Sequence, residues 1–252
     1  NQVRLRSPLP KPPNIICMAV NYMEDGTRDE PAPINAFQKS PNSVIGDGDT
    51  MVLPDIPAAI FEGEAEFALV IGKHASNVKQ EDAFDYIFGY MNFIDGSARA
   101  LPPTGSNFFQ VKSRATFAPM GPYLVTADEI DDPQKLPIRL WVNGDCRQDF
   151  NTDDMAHDMA RCVEWLSGIH PLQPGDVIAV GIDQHAFDGA EVEPVTRCER
   201  VTAQVLFAVL ELVVVQLTKV FVFGPHGNFS AYRACSGFFF DGDAGFVDQQ
   251  DG

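Results

Sequence analysis

A fold of mixed α and β elements in which short strands outnumber helices is predicted by three observations. Apolar runs recur at 15–20, 51–57, 60–72 and 87–95, bounded by polar, Gly or Pro residues. Asn143-Gly144 separates two further runs, 139–142 and 146–150, and is a strong signal for a type I′ hairpin. The clearest helical pattern is confined to 153–167.

Taken in order, residues 1–13 carry Pro8, Pro10, Pro12 and Pro13 among basic residues and predict an extended lead-in. Residues 15–20 predict a buried strand. A polar loop follows over 21–33, with Glu24, Asp25, Arg28, Asp29 and Glu30, and long polar loops in compact domains are often functional lids. Strands are expected at 51–57 and 60–72, a short helix at 81–86 and another apolar stretch at 87–95. For the helix at 153–167, Thr152 is the expected cap, Asp153 and Asp154 occupy the first turn and Gly168 follows the end. Met155, Met159, Cys162, Val163 and Leu166 fall on one face, with His157 opposite and solvent-exposed. Pro174-Gly175-Asp176 turns the chain into a strand at 177–180. The run at 205–223 is near membrane-span length, but Glu211 and Lys219 inside it favour two buried strands. Residues 224–252 are rich in Gly, Phe and Asp and show little order.

Composition narrows the function classes. With 45% hydrophobic and 21% charged residues among 252, the chain has ordinary globular composition and enough apolar material for a core. Eighteen Lys and Arg against 35 Asp and Glu give a net charge of −17. Such a surface repels nucleic-acid phosphates and anionic lipid, so neither a nucleic acid nor a membrane is expected as partner. An acidic small substrate stays open, because a bound divalent cation reverses the local field. The five cysteines, Cys17, Cys146, Cys162, Cys198 and Cys235, form no C-x-x-C pair and fit reduced thiols in a cytoplasm. The chain opens Asn1-Gln2-Val3-Arg4 with no apolar leader, which agrees with a cytoplasmic location.

Three constellations could carry chemistry. In Glu62-Gly63-Glu64-Ala65-Glu66, the three glutamates share one strand face, which continues as Ala68 and Val70. Like charges this close need a cation or a proton, and a hard divalent ion meets that need. The alternative is a solvated strand end. Asp95 ends the apolar run Phe93-Ile94 and is placed to be a third ligand, a helix N-cap or a partner of Arg99. Lys112, among Phe108, Phe109 and Val111, either holds a substrate carboxylate or snorkels to the surface.

Together these segments resemble the fumarylacetoacetate hydrolase superfamily over roughly residues 15–181. The matching pieces are Asn21-Tyr22, Ala36-Phe37-Gln38-Lys39-Ser40-Pro41, Glu64-Ala65-Glu66 with Val70-Ile71-Gly72, and Gly89-Tyr90 with Ile94-Asp95 and Ser97-Ala98-Arg99. Lys112 with Phe117-Ala118-Pro119-Met120-Gly121-Pro122 comes next, then Val142-Asn143-Gly144, Gln148, and Thr152 with Met155. The resemblance implies an α+β, mostly β fold: a mixed rolled β-sheet of the fumarylacetoacetate hydrolase C-terminal-domain type with a few short helices. It implies a catalytic domain over 14–184, completed by a divergent tail at 185–252. It further implies a homodimer and Mg2+ or Mn2+ held by Glu64, Glu66 and Asp95. The implied substrate is a small 2-oxo or 1,3-dioxo acid, contacted by Asn21, Tyr22, Arg99 and Lys112. The implied reactions are C–C hydrolysis, decarboxylation, hydration and tautomerisation.

The chain departs from the pattern at several points: Ala115 stands where an Asp is often found, the usual G-T-x stretch reads Gly181-Ile182-Asp183, and the water-activating pair is altered. Family members commonly carry N-Y-x-x-H followed by an acid, and this His–acid pair activates water. Here Asp25 stands at the His position, with Glu30 as the nearest acid beyond Arg28. An ordinary Asp pKa of about 3.9 makes it a weaker base than His at neutral pH, and burial beside Glu30 would raise it. Asp25, Glu30 and Lys112 are thus the expected catalytic set. The departure favours decarboxylation, tautomerisation or hydration over C–C hydrolysis. The alternative is a non-catalytic relative that binds metal and an organic acid.

Overall fold

The computed structural model describes residues 5–24, 26–102 and 107–183, with the backbone of four strands beyond them. Strand β1 (Ile15–Met18) pairs antiparallel with β2 (Ala36–Lys39). Two short strands follow, β3 (Val44–Ile45) and β4 (Thr50–Leu53). The two longest strands come next, β5 (Ile60–Ile71) and β6 (Ile87–Arg99), joined through a 3-10 turn at Gln80–Tyr86. Helix α1 (Phe108–Lys112) leads to β7 (Ala118–Pro119) and β8 (Val125–Thr126). The hairpin β9 (Pro137–Val142) and β10 (Asp145–Asn151) precedes helix α2 (Met159–Ile169) and β11 (Val177–Ala179).

The main sheet has the order β2-β1-β11-β5-β6-β8. It is mixed, because β1 and β11 run parallel while the other neighbours are antiparallel. The fold is α+β and mostly β, with few helices. The four strands beyond 183 join this body. β12 (Glu191–Val192) pairs with β5, and β13 (Val201–Val205) and β14 (Val213–Leu217) extend the β10-β9 sheet. β15 (Lys219–Val222) runs parallel to β4. Residues 224–252 lie outside the described residues.

The period-2 alternation of β5 separates two cores. Ala65, Phe67, Leu69 and Ile71 face the larger one, with Ile94 of β6, Ile138 and Leu140 of β9, and Cys162, Val163 and Leu166 of α2. Ala68 and Val70 face the smaller one, with Cys17, Met91, Phe93, Ala118, Met120, Val177 and Ala179. Each fully buried Val, Leu or Phe side chain contributes about 1.5–3 kcal/mol. Both faces of β5 are buried from Gly63 to Ile71, so Glu64 and Glu66 are buried with it, whereas Glu62 and Arg99 at the end of the ladder stay partly exposed.

Three local expectations are corrected. The helix does not begin at 153. Thr152 donates to the Pro133 carbonyl at 2.8 Å and accepts the Leu136 N–H at 2.8 Å, so its hydroxyl is committed to the β9 side. Residues Thr152–Asp154 form a 3-10 turn capped by Asn151, and the helix starts at Met159, where the Asp158 carboxylate accepts the Arg161 N–H at 2.7 Å. His157 therefore lies before the helix, partly buried, with Nε2 2.8 Å from the Ala32 carbonyl oxygen. Finally, β1 stops at Met18, because Val20 takes a φ of 54°, a left-handed conformation unfavourable for a β-branched residue. The hairpin turn is as expected: Asn143 and Gly144 both have positive φ, 54° and 94°.

The lead-in at 5–13 forms no strand or helix but packs on the body. A Cβ on Gly46 would sit 2.5 Å from the Ser7 backbone nitrogen, so the lead-in backbone lies directly against this position.

Candidate metal centre and active site

The site grows from the register of β5 and β6. Glu64 pairs with Asp95, Glu66 with Phe93 and Glu62 with Ser97. Glu64, Glu66, Ala68 and Val70 share a face, so two carboxylates are carried down toward the smaller apolar core. Glu64 and Glu66 are each 4% exposed and Asp95 1%. One carboxylate oxygen from each lies within 4.8 Å of the others. Asp95 sits inside a strand, which removes the N-cap reading, and Arg99 pairs instead with Glu62 and Glu64.

Three cations surround the carboxylates. Lys112, buried at the end of α1, bonds both Glu64 Oε2 and Asp95 Oδ2. It does not snorkel. Its ammonium also lies 5.3 Å from the centroid of Phe37, whose ring stacks on Phe108. Arg99 bonds Glu62 through Nε and reaches Glu64 Oε1 at 2.6 Å. The third cation, Lys39 of β2, bonds Asp95 Oδ1 and donates to the Gly96 carbonyl at 2.9 Å. Gly96 is required here: a Cβ would meet Phe117 backbone atoms at 2.9 Å, and that close approach holds the segment after α1 against β6.

Glu66 is the exception. It accepts the Gly181 N–H at 2.8 Å, and among the described residues no Lys or Arg forms an ion pair with it. Gly181 has a φ of 89°, a conformation that glycine adopts without strain. Counted as ionised, the four carboxylates (Glu62, Glu64, Glu66, Asp95) face three cations among the described residues (Lys39, Arg99, Lys112), an imbalance of one negative charge that a proton or a bound cation would offset. Burial pushes the Glu66 carboxyl well above the usual range, and the charges of Asp95 and Glu64 push it further. Burial also raises Glu64, against the pull of Lys112 and Arg99. At Asp95 burial acts upward, but Lys112 and Lys39 outweigh it and hold the carboxyl below its ordinary value. Burial opposes the charge on Lys112, yet Asp95 and Glu64 keep it protonated. A cluster of hard anionic oxygens with that imbalance fits a hard divalent cation of the Mg2+ or Mn2+ kind.

The remaining predicted residues are dispersed. Asn21 is buried, with Nδ2 donating to the His157 and Val180 carbonyls at 3.1 and 3.0 Å and Oδ1 accepting the His157 N–H at 3.1 Å. It fastens the segment that carries Gly181 toward Glu66. Tyr22 is 1% exposed, and its ring meets Phe150 edge-on at 5.1 Å. Its hydroxyl has no hydrogen-bond partner among the described residues, and burial followed by the charge of Glu66 raises its pKa. Glu30 is exposed. Asp25 itself lies outside the described residues.

Sequence reasoning missed Lys39, Ser97 and Gly181 as site residues. Ser97 donates to Glu64 Oε2 at 3.0 Å. The signal for Lys39 was available: a charged residue ending the apolar pair Ala36-Phe37 within a segment already matched to the family.

The family model for the C-terminal region of fumarylacetoacetate hydrolase matches residues 14–222. The chain belongs to this family. Among curated fumarylacetoacetate hydrolase relatives, oxaloacetate tautomerase YisK of Bacillus subtilis is 38% identical over 187 residues, 72% of this chain and 62% of that protein. The mitochondrial oxaloacetate tautomerase fahd2 of Xenopus laevis is 37% identical over 187 residues, 72% and 58% of the two chains. The chain thus spans about three fifths of the length of these relatives. Among solved structures, maleylpyruvate hydrolase of Sphingobium sp. SYK-6, in complex with manganese (II) and pyruvate, superposes with a TM-score of 0.71 at 32% identity. That match covers 87% of this chain and 74% of the other. A 2-hydroxyhepta-2,4-diene-1,7-dioate isomerase of Mycobacterium marinum gives 0.72 at 30% identity, covering 86% and 77%. No helix among the described residues is long and apolar enough to cross a membrane.

Proposed function

We propose that the protein is a divalent-metal-dependent enzyme acting on a small 2-oxo or 1,3-dioxo acid, with keto–enol tautomerisation of an oxaloacetate-like acid as its reaction. The observation that carries this reading is the buried triad of Glu64, Glu66 and Asp95, whose Glu66 has no ion-pair partner among the described residues. Glu64, Glu66 and Asp95 would hold Mg2+ or Mn2+. Bound there, the cation supplies Lewis-acid stabilisation of the enolate oxygen of a 2-oxo acid. The names of the Bacillus and Xenopus relatives support tautomerisation, and the manganese–pyruvate complex of the Sphingobium relative supports a metal and a 2-oxo acid together.

The chain's own residues take these roles. Lys112 carries a permanently protonated ammonium on two of the carboxylates, placed to receive a substrate carboxylate or developing enolate charge. Arg99, about one third exposed, stands at the rim and offers a guanidinium to an incoming acid. The Tyr22 hydroxyl is an uncommitted donor near Glu66. Asp25 and Glu30, from the 21–33 loop, are assigned to proton transfer, which tautomerisation asks of a weaker base than water activation does. Asn21 holds the Gly181 segment. The catalytic unit is assigned to residues 14–184, with the strands beyond it completing the sheets.

The test is the decay of enol oxaloacetate followed by ultraviolet absorbance, with Mn2+ or Mg2+ and with EDTA. Metal-dependent acceleration, lost in Glu64→Ala, supports the enzyme. Mn2+-dependent oxalate binding without turnover of any 2-oxo acid would favour the non-catalytic alternative, for which the Asp at position 25 is the supporting feature.

A further inference from the structure

We propose that the cavity on the outer side of α1 is a second acid-binding site, separate from the metal centre, in which Arg114 takes the carboxylate of a small organic acid with an apolar body. The inference does not depend on the metal reading above.

The cavity has a volume of about 400 Å³, within the range of small-molecule sites. Val52 and Pro54 form one wall, Phe109, Gln110 and Ser113 another, and Arg114 supplies the only charge in the lining among the described residues. Phe108 and Lys112, four residues apart and so on one face of α1, turn instead to Phe37 and to the carboxylates. The helix therefore stands between the cavity and the metal centre.

Bonds between elements fix the walls. Thr116 Oγ1 accepts the Val52 N–H at 2.8 Å, and Ser113 Oγ accepts the Ser40 N–H at 3.0 Å. The Phe117 N–H donates to the Arg114 carbonyl at 3.1 Å and closes a turn directly after α1. Within that turn Thr116 takes a φ of 72°, a left-handed conformation unfavourable for a β-branched residue. The turn that carries Arg114 is thus held by β4 against its local preference.

The guanidinium is left without an acceptor. Arg114 Nε is buried with no hydrogen-bond partner, and Arg114 forms no ion pair among the described residues. Arg99, by contrast, bonds two carboxylates. A buried donor that makes no hydrogen bond is costly, so an acceptor is favoured there. A carboxylate meets the need side-on, with its two oxygens on the Nε–H and one Nη–H. The rest of the lining sets the ligand's other end. Val52, Pro54 and Phe109 are apolar, and Phe109 is 73% exposed, a ring that a ligand would cover. The Gln110 amide already donates to the Pro102 carbonyl at 3.2 Å. A monocarboxylate with an apolar body therefore fits better than a dicarboxylate.

The experiment titrates the intact protein with benzoate in EDTA by calorimetry, beside Arg114→Met, Arg114→Lys and Lys112→Met. Benzoate has no 2-oxo group with which to chelate a metal, and EDTA keeps the outcome independent of whether the triad binds a cation. Wild type should bind benzoate, and the neutral isostere benzamide at least about tenfold more weakly, the scale of a lost charge-assisted hydrogen bond. Arg114→Met should weaken benzoate binding by about tenfold or more on the same grounds. Arg114→Lys, which keeps the charge without the side-on fork, should weaken it less, and Lys112→Met should leave it unchanged. Equal benzoate affinity in wild type and Arg114→Met overturns the inference. Binding lost in Lys112→Met and kept in Arg114→Met places the acid at the metal centre and overturns it too. Absence of benzoate binding in wild type overturns it without recourse to any variant.

Discussion

Glu64 and Asp95 are direct partners across the β5–β6 ladder, and the ammonium of Lys112 bonds an oxygen of each. Two acids that would repel are thus held together by a cation from a third element. Asp95 also neutralises Lys39. Asp95→Ala removes the counter-charge of two buried lysines and is expected to destabilise the fold by about 3–5 kcal/mol. Asp95→Asn, which keeps an acceptor, should cost less. Urea denaturation of the two variants beside wild type checks the order; equal stability of Asp95→Ala and wild type would show the pairs to be idle.

Glu66 is the carboxyl with no ion-pair partner among the described residues, and burying it favours its neutral form, so a neutral isostere should relieve the metal-free protein. Glu66→Gln keeps an oxygen for the Gly181 N–H. It is expected to stabilise the metal-free fold by about 1 kcal/mol near pH 7, on the scale of ordinary single substitutions, while weakening Mn2+ binding at least tenfold. Thermal melts with EDTA and with Mn2+ measure both. Loss of stability in EDTA would contradict the preference of buried Glu66 for its neutral form.

The pH dependence follows from the directions of the shifts. Glu66 and Glu64 are raised in the fold, so each favours folding below the unfolded value of about 4.3, and that contribution is lost as pH rises through the raised folded value. Asp95 is lowered, so its contribution is present above about 3.9 and is lost only as pH falls through its depressed value. Between weakly acidic and neutral pH the metal-free fold should therefore lose stability from the glutamates. Mn2+, which binds the deprotonated carboxylates, should restore more stability at pH 8 than at pH 5. A metal effect constant across that range in urea melts would count against the raised Glu66 pKa.

Lys112 separates binding of the ion from handling of the substrate. Lys112→Met should retain Mn2+ binding, because the three carboxylates remain, and should lower kcat/KM for the preferred 2-oxo acid by about 10²-fold or more. Calorimetry and steady-state kinetics on one preparation test this. Loss of metal binding with unchanged kcat/KM per bound ion would instead assign Lys112 to the ion.

The carboxylate triad was legible because a strand's period-2 alternation places Glu64 and Glu66 on one face whatever the rest of the fold does. Asp95 was legible from its place at the end of an apolar run only as one of three alternatives, and the family resemblance chose the ligand, since its pairing with Glu64 depends on a register that spans the 3-10 turn at Gln80–Tyr86. Lys39 was not legible as a site residue. Its role exists only because β2 pairs with β1, and β1 reaches β5 through β11, a strand near residue 178. The start of α2 was misplaced because Thr152-Asp153-Asp154 has the composition of a cap and first turn, while tertiary bonds to Pro133 and Leu136 claim the Thr152 hydroxyl. Individual strands and the hairpin followed from strand-length apolar runs and the Asn143-Gly144 turn, both local signals, whereas the mixed rolled sheet was implied by the family resemblance.

The most direct test of the account is the Mn2+ stoichiometry of the purified protein, measured by mass spectrometry of the metal after equilibration with Mn2+, beside a Glu64→Ala, Glu66→Ala double variant that circular dichroism shows to be folded. The account predicts about one Mn2+ per chain for a single three-carboxylate site and none in the variant. A wild-type protein that binds no Mn2+, or a variant that binds as much as wild type, would contradict it.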